Sequence, residues 1–454
     1  MASALAPPAT AAAAGNSQCV GWLHGGDVPG YEWLAGDRAR HAAQVNGGEA
    51  SRLRVALDRF LKLTPGDSLN LAFVGGSVTA GQGAVGSLSF PSWAEDILKK
   101  EIGDQVHLHN GGLTGHFSAY MSLCYALHVP QEADIIFVDY AYNDDWGAQV
   151  PISETNELGS FNSMRRPYER LLRKLLSYPR NPAVVLIHSF VWNDPMPGVL
   201  PGTYYHSAER DLHEFATYYQ LQELSVKAGA FHLMQSGTKG FQVNHARAAA
   251  VPGVDPQSVD APFTAGHAFY FDALHPDGAT GHRYMGEIVA QLLLDALAGV
   301  HAVPVDDQER AAAAAPLVPP MLEDNWQSGS DDRCYMGGRV SSVVSAYDGW
   351  ALLDAFGHAD RPKPALQSST PHASLRLTLN TSSSNVKAAA MVPVEVVFVR
   401  HGSGGMGRAR VSCVSGCICT SAVIDGHLEG APEVHVMQLR KEQETHTHTH
   451  THQL

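Results

Sequence analysis

Positive charge is scarce in this sequence. Lys and Arg number 31 among 454 residues, against 45 Asp and Glu, and the formal net charge is −14. No long Lys/Arg run offsets that balance, so the chain is a poor match for a nucleic-acid backbone or an anionic membrane surface. Long apolar runs are missing too: no stretch approaches about 18 consecutive apolar residues, the length a membrane-spanning helix needs. The Ala/Pro-rich stretch 1–18 lacks the basic start and strong apolar core of a secretory signal. It reads as a signal remnant, a transit-type segment or a plain tail. What is present suffices for a large core. Charged residues make up 17% and hydrophobic ones 44%, which excludes disorder of the whole chain. At roughly 100–200 residues per domain, the length points to two or three domains.

Cysteine is sparse and uneven. Of Cys19, Cys124, Cys334, Cys413, Cys417 and Cys419, four lie in the last third. Two disulfides there, with Cys334 as a partner for the 413–419 cluster, would staple that region by about 2–4 kcal/mol each in an oxidising compartment. A secretory location is the working expectation, although no clear signal peptide is present. Free thiols and a zinc site are the alternatives; C-x3-C-x-C matches no common zinc spacing.

Strand and helix signals alternate from Leu69 to Leu297. Leu69–Val74, Val106–His109, Ile135–Asp139, Ala183–His188 and Ala230–Leu233 read as short buried strands. Ser92–Glu101, Phe117–Leu127, Met164–Leu176, Ala208–Ala228 and Gly278–Leu297 read as helices, with Pro167 in a first turn that tolerates it. Such βαβ units predict a parallel sheet covered on both faces, with ligands beyond the carboxyl ends of the strands. The Ala- and Pro-rich stretch 300–320 reads as a linker. Beyond it, Arg339–Val344, Leu375–Leu379, Val392–Val399 and Arg408–Cys413 predict a small, sandwich-like β-rich unit. Trp350 and Pro362-Lys-Pro364 read as packing and turn features. Asn380-Thr-Ser382 is a sequon, usable only on a secreted chain. The Thr-His repeats of Thr445–His452 read as low-complexity sequence.

Four segments fall where the sheet reading puts strand ends. Gly75-Gly-Ser-Val-Thr79 places a serine at a strand-to-helix turn, although Gly-Gly-Ser is also an ordinary loop. Asn110-Gly-Gly112 can aim a backbone N–H into the same crevice, or simply turn the chain into a helix. Ala141-Tyr-Asn-Asp144 offers an Asn amide for a developing oxyanion; its plainer reading is a helix cap. Asp272-Ala-Leu-His-Pro276 sets an Asp three residues before a His. With 24 histidines in the chain, that pair alone would carry little weight.

The order of the four segments resembles the SGNH hydrolases, the GDSL-like esterase superfamily. The Gly-Gly-Ser-Val-Thr and Asp139-Tyr-Ala-Tyr-Asn-Asp144 wording is similar to a plant, algal and fungal branch that often carries a C-terminal β-rich extension. The resemblance covers about residues 60–300. It implies a three-layer α/β/α, flavodoxin-like domain with a parallel sheet over 51–300. An N-terminal extension (1–50) precedes it; a linker (301–330), a smaller β-rich domain (331–440) and the tail (441–454) follow. It implies Ser77 as nucleophile, Asp272 and His275 as its partners, and Ser77, Gly112 and Asn143 as oxyanion donors. The sequence departs from the pattern where the Gly-Asp-Ser core is Gly75-Gly76-Ser77 and the Gly opening the third block is Ala141.

The reaction implied is hydrolysis of an acyl ester, acetyl among the candidates, with a small molecule or polysaccharide as substrate. It needs no metal or organic cofactor. The alternatives are a non-catalytic glycan-binding or wall-associated protein on the same scaffold, and an acyltransferase. Trp146, Tyr204 and Tyr205 are candidates for a sugar platform or for core packing. No nucleic-acid partner and no membrane span are expected, and the oligomeric state is left open.

Overall fold

A computed structural model of the chain describes residues 28–64, 66–144, 165–192, 207–244, 246–247, 266–322, 325, 333–354, 364–380, 394–400, 405–416, 419–427, 433–439 and 452–453. Cys19, Cys417, Trp146, Tyr204, Tyr205, Pro362 and most of the Thr-His tail lie outside the described residues.

In chain order the first elements are α1 (Asp37–Ala42), β1 (Gln44–Asn46), α2 (Ser51–Leu61), β2 (Leu69–Gly75), α3 (Ser77–Ala80), α4 (Phe90–Ile102), β3 (Val106–Asn110), α5 (Ser118–Cys124) and β4 (Ile135–Asp139). Then come α6 (Arg165–Leu176), β5 (Ala183–His188), α7 (Glu209–Tyr219), β6 (Gln222–Ser225), α8 (Val226–Gln235), α9 (Gly281–Ala302) and α10 (Asp307–Ala313). The first six strands form one sheet in the order β1-β6-β5-β4-β2-β3. β2 to β6 pair in parallel, and β1 adds an antiparallel edge against β6. The parallel strands follow the flavodoxin-like order, whose winding reverses between β2 and β4. A ligand crevice forms at such a reversal, outside the carboxyl ends of the strands.

Side chains on these strands alternate between two cores. Leu71, Phe73, Ile135, Phe137, Val185 and Ile187 join Leu57, Ile97 and Ile288 from α2, α4 and α9 on one face. Ala72, Val74, Ile136, Val138, Val184 and Leu186 meet Met121, Leu172 and Phe215 from α5, α6 and α7 on the other. Phe73 and Phe137 stack with centroids 4.6 Å apart. Helices thus cover both faces, and every residue of β4 and β5 is buried. By length and composition α9 could span a membrane, but it lies in the first core.

The structure differs from the sequence reading in several segments. The strand read at Ala230–Leu233 belongs to helix α8, and the strand of that unit is Gln222–Ser225. The helix before it stops at Gln220, which adopts φ 54°. Polar residues hid this strand: buried Glu223 accepts from His188 and His213, both at 2.6 Å. The described part of the N-terminal extension, 28–50, packs on the α/β unit. Leu34 N, Ala35 N and Tyr31 Oη donate to buried Glu287 of α9, and β1 joins the sheet. Last, the stretch read as a linker contains α10, closed by a capping box between Asp306 and Glu309. Past α10 the chain is strapped to α6: Glu169 accepts from Met321 N, Leu322 N and Asn325 Nδ2.

The C-terminal region is β-rich. Its strands are β7 (Val344–Asp348), β8 (Ala351–Asp354), β9 (Pro364–Gln367), β10 (Ser374–Leu379), β11 (Val394–Arg400), β12 (Arg408–Val411), β13 (Ala422–Asp425), β14 (Glu433–Leu439) and β15 (His452–Gln453). They form one three-stranded and three two-stranded sheets, all antiparallel. The segment read as a strand at Arg339–Val344 is largely a 3₁₀ helix, Gly337–Val343. Cys413 pairs with Cys419 as a local staple. Cys334 pairs with Cys124 of α5, not with that cluster, and so ties this region to the α/β unit.

Candidate active site

β2 delivers Ser77 to the winding reversal through two glycines that have no room for a side chain. A Cβ on Gly75 would sit 2.0 Å from Thr79 Oγ1, and one on Gly76 would sit 2.1 Å from Asn143 Oδ1. Ser77 opens α3, and Thr79 in the same turn donates to Asp139 Oδ2 at 3.3 Å, pinning α3 to the end of β4. Asp139 also accepts from Ser189 Oγ at 2.8 Å. Its burial pushes the carboxyl above the ordinary range despite these donors.

The loop after β3 continues alongside β2. Gly111 N donates to Phe73 O at 2.8 Å, and Leu113 N to Gly75 O at 2.9 Å. Asn110 Nδ2 donates to Thr79 O at 2.8 Å. Gly112 packs on the backbone of α3, where a Cβ would lie 2.4 Å from Ala80 N. Its own N–H donates to Asn110 Oδ1 at 2.9 Å. Gly115 follows at φ 73°, a left-handed conformation that suits glycine.

His275 reaches the serine from the loop before α9. Its Nε2 lies 3.0 Å from Ser77 Oγ. Its Nδ1 lies 2.8 Å from Asp272 Oδ2 and 3.0 Å from Oδ1. With the carboxylate on Nδ1, the ring carries its proton there and Nε2 accepts from the serine hydroxyl. Asp272 Oδ1 also accepts from His275 N at 2.7 Å and Leu274 N at 2.8 Å. Burial works to raise the Asp272 carboxyl, but the imidazole and the two amides outweigh it and hold it below the usual range. Ser77 and His275 are each 8% exposed, so the hydroxyl can be reached but is largely shielded from water.

Residues not singled out from the sequence hold this loop. Phe271 N donates to His275 O at 2.8 Å. Asp277 accepts from Arg247 Nη1 at 2.8 Å in a buried ion pair. His282, fully buried, braces both ends of the loop that follows the serine helix: its Nε2–H donates to Gln82 O at 2.9 Å, and its Nδ1 accepts from Phe90 N at 3.2 Å. Burial pushes its pKa down to about 4, so the ring is neutral and keeps these two roles distinct. The sequence signal for such residues is only their closeness to the motifs.

Ser77, Asn143, Asp272 and His275 therefore converge, and Gly112 lies beside them with its amide engaged. Among the described residues no group of three or more His, Cys, Asp or Glu side chains is placed to hold a metal ion. A surface cavity of about 450 Å³ near the amino end of β2 is lined by Asp58, Arg59, Lys62 and Arg180. Its charges are already paired, Arg59 and Arg180 with Asp134 and Lys62 with Asp58, and the convergent polar groups lie at the other end of the strands.

No family model matches this chain, and neither does any curated protein. Solved structures do. A two-domain esterase active on acetylated mannans, co-crystallised with mannopentaose, superposes with a TM-score of 0.52 at 17% identity over 91% of each chain. A second structure of a two-domain esterase active on acetylated mannans gives 0.51 at 18% identity, again over 91% of each chain. At such identities the likeness establishes the fold. The chain shares their architecture, an α/β unit with a β-rich C-terminal region.

Proposed function

We propose that the chain is a serine esterase of the SGNH type that removes acyl groups, acetyl foremost, from a glycan. The observation that carries this reading is the line Asp272–His275–Ser77, with 2.8 Å at one end of the imidazole and 3.0 Å at the other. His275 Nε2 takes the proton of Ser77 as Oγ attacks the ester carbonyl, and Asp272 holds the tautomer and stabilises the imidazolium. The C–O bond to the leaving alcohol breaks as His275 returns the proton to it. Water then attacks the acyl-serine by the same route and releases the acid. The Asn143 amide, packed on Gly76, donates to the oxyanion along with the Ser77 N–H. Gly112 joins them only by releasing Asn110 Oδ1.

The glycan part of the reading is supported by the architecture shared with esterases active on acetylated mannans, one of them crystallised with mannopentaose. The two disulfides suit an oxidising compartment, where such polymers are met. The decisive experiment compares the full-length chain with Ser77→Ala on an activated acetyl ester and on acetylated mannan. The variant is expected to lose on the order of 10⁴–10⁶ in kcat while keeping the parent Tm. Equal turnover by parent and variant would remove Ser77 as the nucleophile. Acetate release from the small ester but not from the polymer would remove the glycan assignment.

A further inference from the structure

We propose that Asp144 is a positioning residue for this hydrolysis: its carboxyl joins the turn that carries Asn143 to the first residue of α5, so that Asn143 and the 111–117 loop keep one geometry around Ser77. The inference rests on the esterase reading.

Asp144 follows Asn143 directly and is 1% exposed. Its N–H donates to Tyr140 O at 2.8 Å and closes the turn that leaves β4. Its Oδ1 accepts from Ser118 N at 3.0 Å. Ser118 opens α5, and the loop just before it is tied to β2 and α3 by Gly111, Leu113 and Asn110. Two loops that reach Ser77 from different strands therefore meet at one carboxyl oxygen. The fit they set is tight, because the Asn143 side chain fills the space a Cβ on Gly76 would need. Displacing a reacting or stabilising group by about 1 Å can cost on the order of 10² in rate.

The carboxyl is held on one side only. Asp144 Oδ2, Tyr140 Oη and Tyr168 Oη are buried with no hydrogen-bond partner among the described residues. Among the described residues the groups facing Asp144 are Ser118 from α5, Tyr140 from its own turn and Tyr168 from α6, and none of them is a cation. Burial pushes its pKa up to about 7 despite the Ser118 donor. The folded chain then binds a proton there that the unfolded chain has already released, so ionisation of Asp144 weakens the fold as pH rises from the ordinary carboxylate range to about 7.

The test uses the full-length chain, an activated acetyl ester, three variants and one control. Asp144→Ala deletes the acceptor. Ser118→Pro deletes the donor N–H together with the buried Ser118 hydroxyl, and Ser118→Ala, which loses the hydroxyl alone, is its control; proline is accepted at a first helical position, and Phe117 before it is already extended at φ −108°, ψ 167°. Asp144→Asn keeps an oxygen that can accept from Ser118 and cannot ionise. Asp144→Ala and Ser118→Pro are each expected to lower kcat by roughly 10–100-fold with KM within about threefold, and Asp144→Asn to recover to within about fivefold of the parent. The Tm of Asp144→Asn should also gain on that of the parent between pH 5 and 8. If Asp144→Ala fails to fold, Ser118→Pro carries the same comparison. Parent-like kcat in Asp144→Ala and Ser118→Pro, in a parent whose turnover depends on Ser77, overturns this inference alone. A parent without Ser77-dependent turnover overturns the esterase reading as well.

Discussion

Strands β4 and β5 bury every residue, whereas β8 exposes all four of its own. The two ends of the chain are built on different physics. In the α/β region the sheet is apolar on both faces and stays in place because helices remove those faces from water. In the C-terminal region small antiparallel sheets leave much of their surface exposed, and order comes from attachments. These are the Cys124–Cys334 bridge, the bond of Arg170 Nη1 to Glu395 at 2.9 Å and the strap gripped by Glu169. The convergent polar groups sit wholly on the first kind of structure, which suits a site that must hold a hydroxyl and an imidazole to tenths of an ångström.

The contrast is sharpened first by deleting core. Phe137→Ala, beneath the stack with Phe73, is expected to cost about 3–5 kcal/mol in chemical denaturation of the full chain. Next comes Asn143→Ala, expected to lower kcat by about 10²–10³, the worth of one oxyanion donor, with little change in Tm. If Tm fell as far as for Phe137→Ala, the Asn143 amide would be a packing element and its assigned role would go. Third is removal of the long tether by Cys124→Ser with Cys334→Ser. About 2–4 kcal/mol should disappear from the transition of the C-terminal region, with the α/β transition nearly unmoved. Equal losses in both would mean that the two regions unfold as one.

The same contrast explains what could be read from the sequence. Leu69–Val74, Ile135–Asp139 and Ala183–His188 were legible because a strand buried on both faces must be a run of apolar residues. Gln222–Ser225 was not, because its polar Glu223 is buried against His188 of the neighbouring strand and His213 of the preceding helix, partners that meet it only once these elements pack. The packing of residues 28–50 leaves no sequence signal for a related reason: its hold on Glu287 uses the backbone amides of Leu34 and Ala35, which any residues could supply. Ser77 and Asn143 were legible as residue types at strand ends, and Asp272 and His275 as an Asp-x-x-His pair on a loop before a helix. Their supports were not: Thr79, Asp139 and His282 act only through contacts that form when the chain closes. Cys334 finds its partner 210 residues away, a separation that spacing rules do not reach.

The smallest expected effect is the one that tests the other side of the comparison. Leu353 lies in β8, is 53% exposed and pairs in register with Ala365 of β9. Little apolar surface leaves water when β8 forms, so Leu353→Ala should change stability by no more than about 0.5 kcal/mol, the range of ordinary surface substitutions. Guanidinium denaturation of the C-terminal transition measures this directly. A cost above about 1.5 kcal/mol would mean that β8 is covered in solution, and the C-terminal region would then rest on a packed face as the α/β region does.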